Sequence, residues 1–166
     1  FLWTVEPNRF VVQELSGLPP GRALDLACGE GRNAIWLAQR GWRVTAVDFS
    51  SVGLHKARQL AAERDVAVEW VLADLLDYQP LANAYELALI AYLQIAADER
   101  AAVLRNACSA LAAGGEILVI NAVRKLGPEV ATRMFQRVAS ELTTTFASHY
   151  TKRIGLDQLL DLETLR

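Results

Sequence analysis

Two cysteines in 166 residues, Cys28 and Cys108, cannot build a disulfide framework or a thiolate zinc site. A reducing, cytoplasmic setting is therefore expected. Basic excess is missing too: 17 Lys and Arg against 19 Asp and Glu leave a net charge of −2. That removes the electrostatic footprint that nucleic acids and anionic membranes require. No apolar run approaches the roughly 20 residues of a membrane helix, and nothing ahead of the first strand has the layout of a signal peptide. Low-complexity tracts, internal repeats and linkers are lacking as well. What the chain does have is 52% hydrophobic residues, enough apolar surface for one core.

Strand and helix patterns alternate along most of the chain. A short amphipathic helix is expected over residues 8–15, closed by Gly17 and Pro19-Pro20. Residues 22–27 read as a strand, 32–40 as a helix ended by Gly41, and 42–47 as a strand with little polar alternation. Ser50 or Ser51 caps a helix running to about residue 64. Further strands are expected at 66–72, 85–91 and 116–121, with a helix over 98–112 that stops at Gly114-Gly115. This order predicts an α/β, Rossmann-like, doubly wound and mostly parallel sheet with helices on both faces. Trp36, Trp42 and Trp70 lie in or beside these elements and are expected in the core.

From Arg124 the pattern changes. Val130, Met134, Val138 and Leu142 share one helical stripe, and Leu156, Leu159, Leu160 and Leu165 suggest a second short helix. Only 143–147 and 150–154 read as strands, both weakly, so a terminal antiparallel pair is doubtful. The division expected is an α/β ligand-binding domain over 1–123 and a mainly helical segment over 124–166. That segment packs on the same domain or on a second subunit, the latter giving a homodimer.

Chemistry concentrates in the run Ala-Leu-Asp-Leu-Ala-Cys-Gly-Glu-Gly-Arg-Asn-Ala that begins at residue 23. A strand breaks at Gly29 and Gly31, a helix follows, and the next strand leads to Asp48. Open α/β sheets bind ligands beyond the carboxyl ends of their strands. Glycines there let the backbone bend and a ligand lie against it. Asp48 is placed to accept both hydroxyls of a ribose. Asp74, in Ala73-Asp74-Leu75, is placed for an exocyclic adenine amine, and Asp25 for an ammonium group. Each acid also has an ordinary structural use, Asp74 and Asp77 as turn caps. Together with the glycine pair and the strand order they read as a nucleoside site.

The segment Leu24-Asp25-Leu26-Ala27-Cys28-Gly29-Glu30-Gly31 resembles the first motif of class I S-adenosylmethionine-dependent methyltransferases. It is most similar to small bacterial methyltransferase-domain and tellurite-resistance-type proteins, where Gly-x-Gly-Arg-Asn is a familiar form. The resemblance runs from about Trp3 to Ile120. It implies S-adenosylmethionine as cofactor, with Asp25, Ala27, Cys28, Gly29 and Gly31 around the methionine part. Asp48 would hold the ribose and Phe49 would lie against the adenine. Ala73, Asp74 and Leu75 would frame the base, and Ala91-Tyr92 would close the methionine side. Arg32 and Asn33 match the motif in a first turn that equally suits an ordinary helix start.

The activity implied is methyl transfer to a small-molecule acceptor by in-line displacement. Positioning dominates such a step, and well-oriented pairs gain roughly 7–11 kcal/mol. Tyr92 and Gln94 are the expected pocket-lining groups. No general base is assigned, because neither His55 nor His149 has an evident partner. The Asn-Pro-Pro-Tyr of many amino-methylating enzymes is replaced by Ala91-Tyr92-Leu93-Gln94. One alternative is an NAD(P)-dependent oxidoreductase, since Gly29-x-Gly31-x-x-Ala34 satisfies the dinucleotide form. Against it, Asp25 would repel a pyrophosphate and no Tyr-x-x-x-Lys pair occurs. The other is a binding protein that keeps the fold without turnover.

Overall fold

Strands form along the near-continuous apolar runs. In the computed structural model, which describes residues 5–120, β1 is Arg22–Leu26, β2 Arg43–Asp48, β3 Glu69–Leu72, β4 Tyr85–Ala91 and β5 Leu111–Ile120. Neighbouring strands all run parallel, in the order β3-β2-β1-β4-β5. The helices are α1 (Arg9–Leu15), α2 (Arg32–Gln39), α3 (Ser51–Glu63) and α4 (Ala97–Ala110). The expected α/β, mostly parallel architecture is present.

A parallel sheet has to be covered on both faces, and alternation along each strand supplies the two contact layers. Ala23, Val44, Ala46, Leu87, Leu89, Leu118 and Ile120 pack with Val11 and Leu15 of α1 and with Ala34 and Leu37 of α2. On the opposite face Leu24, Leu26, Val47, Ala88, Ile90 and Ile117 meet Val103, Leu104, Ala107 and Cys108 of α4. Ile35 of α2 joins Leu60 and Ala61 of α3 in a smaller cluster. Trp42 is buried, while Trp36 and Trp70 are half-buried against these layers. Polar side chains fix three of the four described helix starts, α2 starting after Gly31 without one. Asn8 accepts from the Phe10 amide and Ser50 from the Gly53 amide. Glu99 reaches back to the Ala96 amide at 3.0 Å.

Three element boundaries differ from the sequence reading by more than one residue: the start of the third strand, the end of α4, and the start of β5, expected at residue 116. The third strand begins at Glu69 rather than Val66, because the chain turns at Asp65, whose φ is +52°, before it pairs with β2. The helix expected to reach residue 112 ends at Ala110, and β5 starts at once. Tyr85 pairs with Leu111 and Leu87 with Glu116, so residues 112–115 bulge from the ladder. Gly114-Gly115 therefore sits in a strand bulge instead of stopping the helix. Trp3, His149 and the segment expected over 124–166, with its stripe and weak strands, lie outside the described residues.

The sheet order positions the site. From β1 the chain moves outward through β2 to β3, then returns to place β4 on the other side of β1. The reversal between β1 and β4 is a topological switch point, where open sheets leave a crevice at the carboxyl ends.

Candidate cofactor site

Four segments emerge at that end of the sheet: residues 27–31 after β1, 48–50 at the end of β2, 73–78 after β3, and 91–94 at the end of β4. Two non-glycine residues there hold left-handed backbone, Ala27 and Tyr92, each with φ +62°. Such conformations cost energy and tend to cluster at ligand sites.

The two motif glycines have separate jobs. Gly29 has φ +57°, and a Cβ built on it would meet nothing within 4 Å. Open space over a turn is what a ligand lying on backbone needs. Gly31, at φ +79°, has no such space. A Cβ there would lie 2.5 Å from the Trp70 ring and 2.8 Å from Ala57 Cβ. Gly31 therefore serves close packing of β3 and α3 against the turn.

Asp48 organises the loop. One carboxylate oxygen accepts from the Gly29 amide at 2.7 Å and the other from the Ser50 amide at 2.8 Å. Its carbonyl accepts from the Ala73 amide, joining the β2 and β3 ends. A carboxylate has about four acceptor positions, so capacity for further donors remains on both oxygens. Phe49, directly after it, is 79% exposed. Such exposure is unusual for a large aromatic and leaves its ring open to a flat partner. Across the crevice Asp74 is exposed, with one oxygen accepting from the Leu76 amide at 3.0 Å. Its carbonyl receives the amides of Asp77 and Tyr78, which makes a tight turn. Leu75 is buried in the core facing α4.

Asp25 is the unusual acid. It is 1% exposed, and no donor reaches either carboxylate oxygen in hydrogen-bond geometry. Burial pushes its carboxyl up from the ordinary 3.8 to about 8, and the Asp48 charge adds to this. The Ala34 amide and the Arg32 guanidinium lie near enough to oppose the rise in part. Cys28 is half-buried, and its amide donates to the Val47 carbonyl. Burial raises the Cys28 thiol as well, with the Asp25 and Asp48 charges adding to it, which favours its protonated form.

The remaining expected residues form a tie rather than an open wall. The Asn8 amide N–H donates to Asn33 Oδ1 at 2.9 Å, and Asn8 Nδ2 donates to the Tyr92 hydroxyl at 2.9 Å. Ala91 is half-buried against the α1/α2 layer, and the Tyr92 amide donates to the Ile120 carbonyl. Gln94 is exposed, as is His55 on α3. Asn8 was absent from the candidate residues of the sequence reading. Its helix-capping position was visible, but its partners Asn33 and Tyr92 are distant in the chain. A second unforeseen contact, Lys56 Nζ to Glu30 Oε1 at 2.7 Å, pins α3 to the glycine turn.

Among the described residues no group of three or more His, Cys, Asp and Glu is arranged to hold a metal. A groove of about 800 Å³, lined in part by Arg22, Arg43, Thr45, Asp65 and Glu69, opens at the opposite, amino-terminal end of the strands. It has no part in this crevice.

A family described as "Methyltransferase domain" matches residues 23–115, more than half of the chain. The chain belongs to the class I S-adenosylmethionine-dependent methyltransferase family. A ubiquinone biosynthesis O-methyltransferase from Alkalilimnicola ehrlichii is 41% identical over 71 residues, 42% of this chain and 29% of that protein. A solved S-adenosylmethionine-dependent methyltransferase from Mesorhizobium loti is 29% identical with a TM-score of 0.55, over 63% of this chain and 48% of its own. The Haemonchus contortus phosphoethanolamine N-methyltransferase 1, solved with phosphoethanolamine and S-adenosylhomocysteine, shares the fold at 24% identity. Its TM-score is 0.59, over 66% of this chain and 24% of that one. The chain thus spans less than a third of its curated relative and about half of the Mesorhizobium protein. Methyltransferases of this family take S-adenosylmethionine as cofactor, and membership decides against the nicotinamide alternative. The residues present fit that cofactor: an open cradle at Gly29, spare acceptor capacity on Asp48, an exposed ring at Phe49 and an orphaned buried acid at Asp25. No described helix is long and apolar enough to cross a membrane.

Proposed function

We propose that this chain transfers the methyl group of S-adenosylmethionine to a small-molecule acceptor by in-line displacement. The observation that carries the reading is the open Gly29 turn, its amide held by a buried Asp48 that keeps acceptor positions to spare. In this reading Asp48 accepts from the ribose diol and Phe49 covers one face of the adenine. Ala73, Asp74 and Leu75 frame the base, with the free acceptor capacity of Asp74 turned to its amine. Asp25, Ala27, Cys28, Gly29 and Gly31 surround the methionine portion. Ala91 and Tyr92 close it from β4, and Asn33 holds α2 in place through Asn8.

The cofactor supplies a methyl group on a sulfonium that departs as a neutral thioether. The chain's own task is to orient the donor and to keep water out, and proximity alone accounts for roughly 7–11 kcal/mol in well-aligned pairs. No side chain is assigned as a general base. The preference for a small acceptor over nucleic acid rests on the absence of basic excess in a chain of net charge −2. The two free thiols agree with a reducing, cytoplasmic setting.

Calorimetric titration with S-adenosylmethionine and S-adenosylhomocysteine tests the reading directly. Asp48→Asn keeps an acceptor for only one of the two loop amides, sets its NH2 group against the other, and loses the charge offered to the ribose. It is expected to weaken binding by roughly ten- to a hundredfold. Wild-type protein that is folded yet gives no heat with either nucleoside refutes the assignment.

A further inference from the structure

Among the described residues, Asp25 is the only acid whose two side-chain oxygens are both buried with no donor in hydrogen-bond geometry, although the Ala34 amide lies close. Its register neighbours, Ala46 on β2 and Leu89 on β4, bring no polar side chain to it. The face it shares with α1 and β5 is lined by Val11, Leu15, Leu118 and Ile120, all apolar. The charged and titratable groups acting on it are Asp48 at the end of β2, Arg32 at the start of α2, and the Cys28 thiol after β1. The polar groups near β4, the Tyr92 hydroxyl and the Asn8 amide, are bonded to each other. An anion in such surroundings is disfavoured until a cation comes close.

We propose that Asp25 carries a proton in the ligand-free protein and releases it to solvent when the cofactor's positive charges enter the cleft. This rests on the methyl-donor reading above and adds a coupling between that site and pH. Burial and the Asp48 charge already favour the protonated form at neutral pH. S-adenosylmethionine brings an ammonium and a sulfonium, both of which favour the Asp25 anion. Methyl transfer turns the sulfonium into a neutral thioether, so the anion loses part of its stabilisation. A proton then returns from solvent to the carboxyl group as the product leaves. Asp25 would thereby hold the charged donor more tightly than the spent one.

Calorimetry in two buffers of different ionisation enthalpy, near pH 6.5, measures the proton count. Net release is expected to approach one proton per site with S-adenosylmethionine and to be smaller with S-adenosylhomocysteine. Affinity for the donor should fall about tenfold for each pH unit below neutrality. Asp25→Asn should bind with no proton release and a flat pH profile. If that variant does not fold, the wild-type titration still decides. Binding heats that match in both buffers, with affinity independent of pH, would overturn the proposal and leave the cofactor assignment standing. No binding heat at all would defeat the cofactor assignment, and this coupling with it.

Discussion

Adding one methyl group to Gly29, and separately to Gly31, should have opposite consequences although the two stand two residues apart. Both lie in left-handed backbone, at φ +57° and +79°. That conformation alone costs an alanine about 1–2 kcal/mol. At Gly29 nothing further is met within 4 Å, so Gly29→Ala should lose only about that amount. At Gly31 the new Cβ runs into the Trp70 ring at 2.5 Å and Ala57 at 2.8 Å. Overpacking of this kind adds about 1–3 kcal/mol, for a total of roughly 2–5. Urea unfolding of the two variants reads the difference, and titration with S-adenosylhomocysteine reads the other half. Gly29→Ala should stay folded and lose most of its cofactor affinity, because the methyl group fills the space over the turn. Equal stability losses, or wild-type affinity in Gly29→Ala, would refute this division of labour.

Two further outcomes are expected. Because the folded pKa of Asp25 is raised from 3.8 to about 8, its contribution to stability is full below about pH 4 and is lost as pH rises through about 8. At about 1.4 kcal/mol per tenfold change in proton affinity, the loss is on the order of several kcal/mol. Asp25→Asn should lack it, so denaturant midpoints of wild type and variant measured from pH 5 to 9 should diverge rather than run parallel. Asn33→Ala removes the acceptor for the buried Asn8 amide and should cost about 1–3 kcal/mol by the same unfolding assay. A neutral result there would mean that α1 is not tied through Asn33.

Much of the fold and of the candidate site was legible in the sequence where the information is local. The apolar runs of β1, β2 and β4, the glycine pair and the capping Ser50 need only near neighbours to be read. The errors arose where distant partners decide. Val66, Ala67 and Val68 spell a strand by composition, yet the turn at Asp65 delays pairing with β2 until Glu69. The alanine-rich approach to Gly114 spells helix, but Leu111 is claimed by Tyr85 across the ladder. Gly31 reads as a motif glycine in the sequence, and only the fold shows that its missing Cβ also makes room for the Trp70 ring. Asp48 reads as a ribose ligand from its place at a strand end, and its second duty, to the Gly29 and Ser50 amides, is visible only in three dimensions. Asn8 shows the same limit, because its two partners belong to other elements.

Asn8 carries one more implication. A single amide residue ahead of the first helix clasps both α2 and the far end of β4, one through its backbone and one through its side chain. Shortening the chain past this point would unlatch both shoulders of the crevice at once, while leaving every strand of the sheet uncut. Anyone fusing, tagging or trimming the amino-terminal side should keep that asparagine and both of its contacts intact.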